Sequence, residues 1–201
     1  MSQMIVLPND QKIFSMHELK SEGLSEYKIR KLASEKKLIK LNKSYFENAE
    51  YTGAESDFYY VKAYAPEGII CLLSAAVYYQ LTVYIPDAVD IAIPRKAKIS
   101  AVPQWPQFNV HYYTEQRYRL GIMNVSEGRN GFQIYNVEKT VVDIIYYREQ
   151  VGIEETREIL ENYLRRKDRN INLLMKYAEL MKCEKVTRQY LEVKERKMQY
   201  L

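Results

Sequence analysis

Residues 25–45 carry the side chains whose types and spacing suggest chemistry. Lys28, Arg30, Lys31, Lys36, Lys37, Lys40 and Lys43 stand there against Glu26 and Glu35. That is a local charge of +5 in a 201-residue chain whose total is only +4. Cations gathered this densely suit a polyphosphate, because each phosphate they neutralise releases condensed counterions. Ser25, Tyr27, Ser34, Asn42 and Ser44 lie among them and add the hydrogen-bonding groups that phosphates and base edges accept. The expected contact set is therefore Ser25, Tyr27, Lys28, Arg30, Lys31, Ser34, Lys37, Lys40, Asn42, Lys43 and Ser44. Arg30 and Lys31 are expected at base edges or groove-side phosphates, with Lys28, Lys37, Lys40 and Lys43 on the backbone. A solvated lysine-rich helix, or a protein-docking surface, fits the same charge pattern.

Catalytic chemistry has little to stand on. Two histidines, His17 and His111, and two cysteines, Cys71 and Cys183, do not make a zinc site at ligand spacing. There is no G-x-x-x-x-G-K-[ST] phosphate cradle and no G-x-S-x-G elbow. Asp87 and Asp90 would need an E-x-K triplet on a neighbouring strand to form a metal-dependent nuclease. The available triplets, Glu35 to Lys37, Glu192 to Lys194 and Glu195 to Lys197, fall on expected helices. Both aspartates are read as strand-end or turn residues, both histidines as structural, and neither enzyme activity, metal nor cofactor is expected. The tyrosine doublets 59–60, 78–79, 112–113 and 146–147 suggest one ring in the core and one on a groove or interface. Stacking on bases is the other reading.

The elements that must position the basic residues follow from local signals. Ser15 and Glu18 form an S-x-x-E capping box, so a helix starts after Ser15. Gly23 ends it, since glycine accepts the left-handed backbone. Ser25 caps a second helix to about Lys37. On it Ile29, Leu32 and Ala33 share one side, and Tyr27, Arg30, Lys31 and Ser34 the other. Residues 39–46 alternate around Asn42-Lys43-Ser44 as a short hairpin. Helix, turn, helix and hairpin make a winged helix-turn-helix of residues 1–52, which makes DNA the leading partner.

The remaining residues, 53–201, suffice for a second core and read as a mixed α+β domain with a small sheet and a helical C-terminal part. Helices are expected over 55–65, 69–81, 137–150, 154–167, 170–182 and 185–199. Strands are expected over 87–93 and 108–115, a loop over 101–107, and a hairpin turning at Arg129-Asn130-Gly131. Asn136 caps the 137–150 helix. Residues 165–201 carry a further +6, but interspersed glutamates pair locally, so a solvated surface is favoured there over a second phosphate-contacting one. The first ten residues lack a signal peptide's basic region, no apolar stretch spans a bilayer, and two cysteines imply no disulfide framework. A cytoplasmic protein without membrane contact is the expectation.

The order of these features resembles the AbiEi family, antitoxins and transcriptional regulators of bacterial abortive-infection toxin–antitoxin pairs. The resemblance rests on the winged N-terminus, Leu73-Ser74-Ala75-Ala76 within IICLLSAAVYYQLT, the strand DAVDIAIPRKA, and Lys139-Thr140-Val141-Val142-Asp143. The family carries arginine in place of Lys139. The resemblance implies repression of the protein's own operon by binding inverted repeats upstream of it. It also implies a C-terminal domain that counteracts a nucleotidyltransferase-type toxin without a stable complex, a type IV arrangement. Two monomers suffice for an inverted repeat, so a monomer in solution is expected.

Overall fold

The computed structural model describes residues 7–99 and 103–198, the last six of these by backbone alone. The expectations on the first six residues, and on residues 101 and 102 of the proline loop, lie outside the described residues. The fold is mixed α+β with two small sheets. It divides into two compact units. The first holds the described residues up to Pro66 together with Ile99 and Asn124–Phe132, and the second holds the other described residues. The division anticipated after residue 52 thus differs from this one by residues 53–66, by Ile99 and by the segment 124–132.

In the first unit the chain runs β1 (Ile13–Ser15), α1 (Met16–Ser21), α2 (Glu26–Ser34), β2 (Leu38–Lys40) and β3 (Tyr45–Asn48). The strands form an antiparallel sheet in the order β1-β3-β2, with Phe14 opposite Phe46 and Ile39 opposite Glu47. The capping box is present in full: Ser15 Oγ accepts from the Glu18 amide, and the Glu18 carboxylate accepts from the Ser15 amide. Gly23 sits at φ 82°. A compact core of Leu7, Phe14, Leu19, Leu24, Ile29, Leu32, Leu38 and Phe46 holds the helices to the sheet. Fully burying each aliphatic side chain contributes about 1.5–3 kcal/mol.

Two expectations here need correction. The second helix stops at Ser34 rather than Lys37, because Lys36 enters the left-handed region at φ 58° and turns the chain into β2. Residues 55–65 are not one helix: a 3-10 turn over Asp57–Tyr60 precedes the single-turn α3 (Val61–Tyr64).

The second unit begins with β4 (Ile69–Ile70), α4 (Leu72–Tyr78), β5 (Val89–Pro94), β6 (Phe108–Tyr113) and α5 (Glu115–Tyr118). The hairpin strands β7 (Ile122–Glu127) and β8 (Asn130–Tyr135) come next, with residues 122–123 and 133–135 in this unit and 124–132 in the first. Then follow α6 (Val137–Tyr146), α7 (Arg148–Val151), α8 (Ile153–Arg165), α9 (Ile171–Leu180) and α10 (Glu184–Met198). The sheet order is β6-β5-β4-β8-β7; β4 runs antiparallel to β5 and parallel to β8, and β5 parallel to β6. α6 is buried along nearly its whole length and, with α4, α8 and α9, supplies the core of this unit. Asn136 caps α6 as anticipated, its side chain accepting from the Lys139 amide. No described helix is long and apolar enough to cross a membrane.

Here too the structure revises the reading. The apolar run 69–81 is a two-residue strand followed by a short helix, with Leu72 at φ 44° making the turn between them. The helix expected to Gln150 breaks at Tyr147 into α6 and α7. The strand expected to residue 115 ends at Tyr113, and α5 begins at Glu115. The hairpin turns at Gly128-Arg129, where Gly128 supplies φ 61°, instead of at Arg129-Asn130-Gly131. Asn130 is buried in β8, where its side chain accepts from the Lys12 amide and donates to the Asp10 carbonyl.

Candidate nucleic-acid interface

α2 has two chemically different sides. Ile29 and Leu32 are 2% and 9% exposed and lie in the core of the first unit. Tyr27, Lys28, Arg30, Lys31 and Ser34 are all exposed, with the Tyr27 ring 77% accessible. A helix is about 10–12 Å across with its side chains, a width that a major groove of about 12 Å admits. Ser25 closes the N-terminus by accepting from the Lys28 amide at 3.4 Å. Its hydroxyl is therefore held at the end of the helix where phosphate binding is favoured.

The cations on this side are lightly restrained. Arg30 faces Glu26 at 4.0 Å and Lys31 faces Glu35 at 3.9 Å. All four side chains are well exposed, so each pair contributes at most a few tenths of a kcal/mol. Lys37 meets Glu50 at 3.4 Å, also at the surface. Glu26 is drawn more tightly to Lys20, at 2.8 Å. The hydrogen bond from Lys20 holds its carboxyl below the usual glutamate range. Lys28, Lys40 and Lys43 are exposed and have no ion-pair partner among the described residues.

The β2–β3 turn spans residues 41–44, and here the sequence-predicted residues separate in role. Lys40, Lys43 and Ser44 are exposed. Asn42 is half-buried and its amide is occupied: it donates to the Ala63 carbonyl at 2.7 Å and accepts from the Ser44 and Tyr45 amides at 2.9 and 3.0 Å. Asn42 shapes the turn, which leaves Lys43 at its tip. The Ser34 hydroxyl likewise donates to the Lys31 carbonyl at 2.7 Å. Ile39, on β2, adds an exposed apolar side chain that the charge pattern does not reveal.

A second group of polar residues lies in the other unit and was not anticipated as a constellation. Lys139 and Asp143, one helical turn apart on α6, are fully buried and paired. Arg117 from α5 reaches the same carboxylate, with Nη2 2.7 Å and Nε 3.2 Å from Oδ1. Its Nη1 donates to the Tyr147 hydroxyl at 2.9 Å. Burial pushes the Lys139 ammonium down, and Asp143 only partly offsets this. Asp90, the second residue of β5, lies at the start of the strand as expected and is buried. It holds His111 Nε2 at 2.9 Å and accepts from the Ser74 amide at 3.3 Å, while its own amide donates to Ser74 Oγ at 2.8 Å. These bonds tie β5 to β6 and to α4. Among the described residues no group of three or more histidine, cysteine, aspartate or glutamate side chains is placed to hold a metal ion.

No family model matches the chain, and no curated protein matches it. Among solved structures it is similar to the crystal structure of the RV2827C protein from Mycobacterium tuberculosis. The two share 13% identity over 90% of this chain and 76% of that one, with a TM-score of 0.45.

Proposed function

We propose that this protein is a DNA-binding repressor of the AbiEi kind. In this reading the first unit is a winged helix-turn-helix with α2 as recognition helix and the β2–β3 turn as wing. It binds inverted repeats upstream of its own operon, and the other unit counteracts a nucleotidyltransferase-type toxin. The observation that carries the DNA-binding half is the two-sidedness of α2: buried Ile29 and Leu32 behind exposed Tyr27, Lys28, Arg30, Lys31 and Ser34. The order β1-α1-α2-β2-β3 and the antiparallel sheet β1-β3-β2 support it, since a recognition helix followed by a hairpin can place the hairpin on the flanking backbone. Exposed Lys40 and Lys43 then touch phosphate beside the groove that α2 enters.

The test is a binding titration of the whole protein on native upstream DNA and on a shuffled duplex of equal length, at several salt concentrations. The expected result is binding that weakens steeply with salt and favours the native sequence. No binding to either duplex at low salt would overturn the proposal.

A second reading, a module that neutralises its partner by direct binding without DNA contact, draws on one observation. Val83, Tyr84 and Ile85 are 91%, 51% and 78% exposed in succession. Contiguous exposed apolar residues of this kind mark interaction surfaces. Stable co-purification with the product of the adjacent gene, together with negligible DNA affinity, would favour it.

A further inference from the structure

We propose that a pocket in the second unit, lined by Arg117, binds a nucleoside monophosphate. The pocket has a volume of about 290 Å³ and is lined by Arg95, Tyr112, Arg117, Tyr146, Tyr147 and Lys182, among others. Three features point to an anion carrying a planar ring.

The first is a charge count. Arg117 and Lys139 share the single carboxylate of Asp143, and both cations are largely or wholly buried. Two cations share one carboxylate there, and the neighbouring buried carboxylate, Asp90, is engaged by His111 and Ser74, so Arg117 is not matched by an anion of its own, and a buried charge is costly unless compensated. Three hydrogen bonds occupy Arg117. Two of its five N–H donors are therefore without a partner among the described residues. At the rim, Arg95 and Lys182 are exposed and neither side chain has an ion pair among the described residues. A phosphate ester is an anion that several cations can share.

The second is aromatic. The Arg117 guanidinium carbon lies 4.2, 4.2 and 4.3 Å from the ring centroids of Tyr113, Tyr146 and Tyr147. This stack fixes the guanidinium in one plane. Tyr112 and Tyr146 are 53% and 44% exposed at the mouth. Exposed aromatic faces beside fixed cations are what stacks a nucleobase while its phosphate is neutralised. The third is size. At about 290 Å³ the pocket stands at the lower end of the range for ligand sites, about 300 to 1,000 Å³, which limits its ligand to about one nucleotide and excludes a dinucleotide. The inference does not depend on DNA binding by the first unit.

The test uses the full chain, with calorimetric titration of AMP, GMP, CMP and UMP, and of inorganic phosphate and adenosine as half-ligands. At least one monophosphate is expected to bind more tightly than either half-ligand. The Arg95→Ala, Lys182→Ala double variant, which removes only exposed side chains, should weaken that binding tenfold or more. Tyr112→Ala should reduce it toward the affinity for inorganic phosphate. A Lys28→Ala, Arg30→Ala, Lys31→Ala variant should bind the monophosphate unchanged, which separates this site from the DNA surface. Absence of binding by all four monophosphates at millimolar concentration would overturn the proposal. So would binding that the double variant leaves intact, or phosphate binding as tight as that of every nucleotide.

Discussion

Replacing Lys28, Arg30 and Lys31 together by alanine removes three cations from the exposed side of α2 and nothing from its buried side. Each ionic contact with duplex DNA contributes about 0.9 to the slope of log affinity against log salt. The variant's slope should therefore be shallower by about 2.7. Taken at about 0.15 M salt, three contacts correspond to roughly 10²-fold in affinity, or ~3 kcal/mol. The folded state should barely notice. The exposed Arg30–Glu26 and Lys31–Glu35 pairs, at 4.0 and 3.9 Å, are worth at most about 0.5 kcal/mol each, and alanine is the better helix former. The assay is fluorescence anisotropy on the native upstream duplex across a salt series, with a thermal melt of the same sample. A variant that melts like the parent yet keeps both slope and affinity would refute the placement of α2 in the groove. A loss of affinity with an unchanged slope would refute the ionic part of the reasoning.

The buried cluster predicts an asymmetry: Asp143→Asn leaves Arg117 and Lys139 facing each other and should cost about 3–5 kcal/mol, whereas Lys139→Met leaves the Arg117–Asp143 pair balanced and should cost under about 1.5 kcal/mol. Denaturant melts compare the two; equal losses would contradict the charge count. Ser15→Ala should destabilise the first unit by about 1 kcal/mol by removing the α1 cap. Although burial opposes it, hydrogen bonding to Ser15 holds the Glu18 carboxyl below its ordinary 4.5. That contribution is present above the unfolded value and lost as pH falls through the folded one, so an acid melt of Ser15→Ala should show a weaker decline than the parent. At the alkaline end, burial pushes the Tyr79 phenol up to about 12 from an ordinary 10.0. A raised phenol contributes below its unfolded value and loses that contribution as pH rises through its folded one. Stability should therefore fall between about pH 10 and 12, and ultraviolet titration should show tyrosines that ionise only on unfolding.

What the sequence shows and what it hides divide along physical lines. The first unit was readable because its signals are local. Ser15, Glu18, Gly23 and Ser25 act within one turn of where they stand, and the predicted caps and turn are all present. The end of α2 was missed because a lysine, Lys36, adopts the left-handed backbone that composition assigns to glycine or asparagine. The run 69–81 was misread for a different reason. Ile69 and Ile70 both have zero exposure, and a strand buried on both faces has no alternation to distinguish it from a buried helix. The Asn-Gly at 130–131 shows local chemistry losing to a tertiary contact. Asn130 is needed inside β8 to bind the Lys12 amide and the Asp10 carbonyl, so the turn moves to Gly128.

The charged pocket was hidden most completely, and its concealment follows from how charge is usually read. Lys139 and Asp143, four apart on a helix, look like an exposed stabilising pair. Only the packing of α6 among α4, α8 and α9 puts them at zero exposure. Arg117 is 22 positions from Lys139 in sequence, on a four-residue helix too short to show any periodicity. Its charge acquires meaning from partners that the chain brings together late: Tyr113 from β6, and Tyr146 and Tyr147 from the end of α6. The doublet 146–147 was expected to split into a core ring and a surface ring. It does so, with Tyr147 packed against the core and Tyr146 44% exposed, yet both rings also contact one guanidinium, and their planes stand at 78° to each other. Surface charge can be counted from a sequence because water makes each residue nearly independent. Buried charge cannot, since its cost and its role depend on which opposite charge arrives within hydrogen-bonding distance, and that is a property of the assembled core.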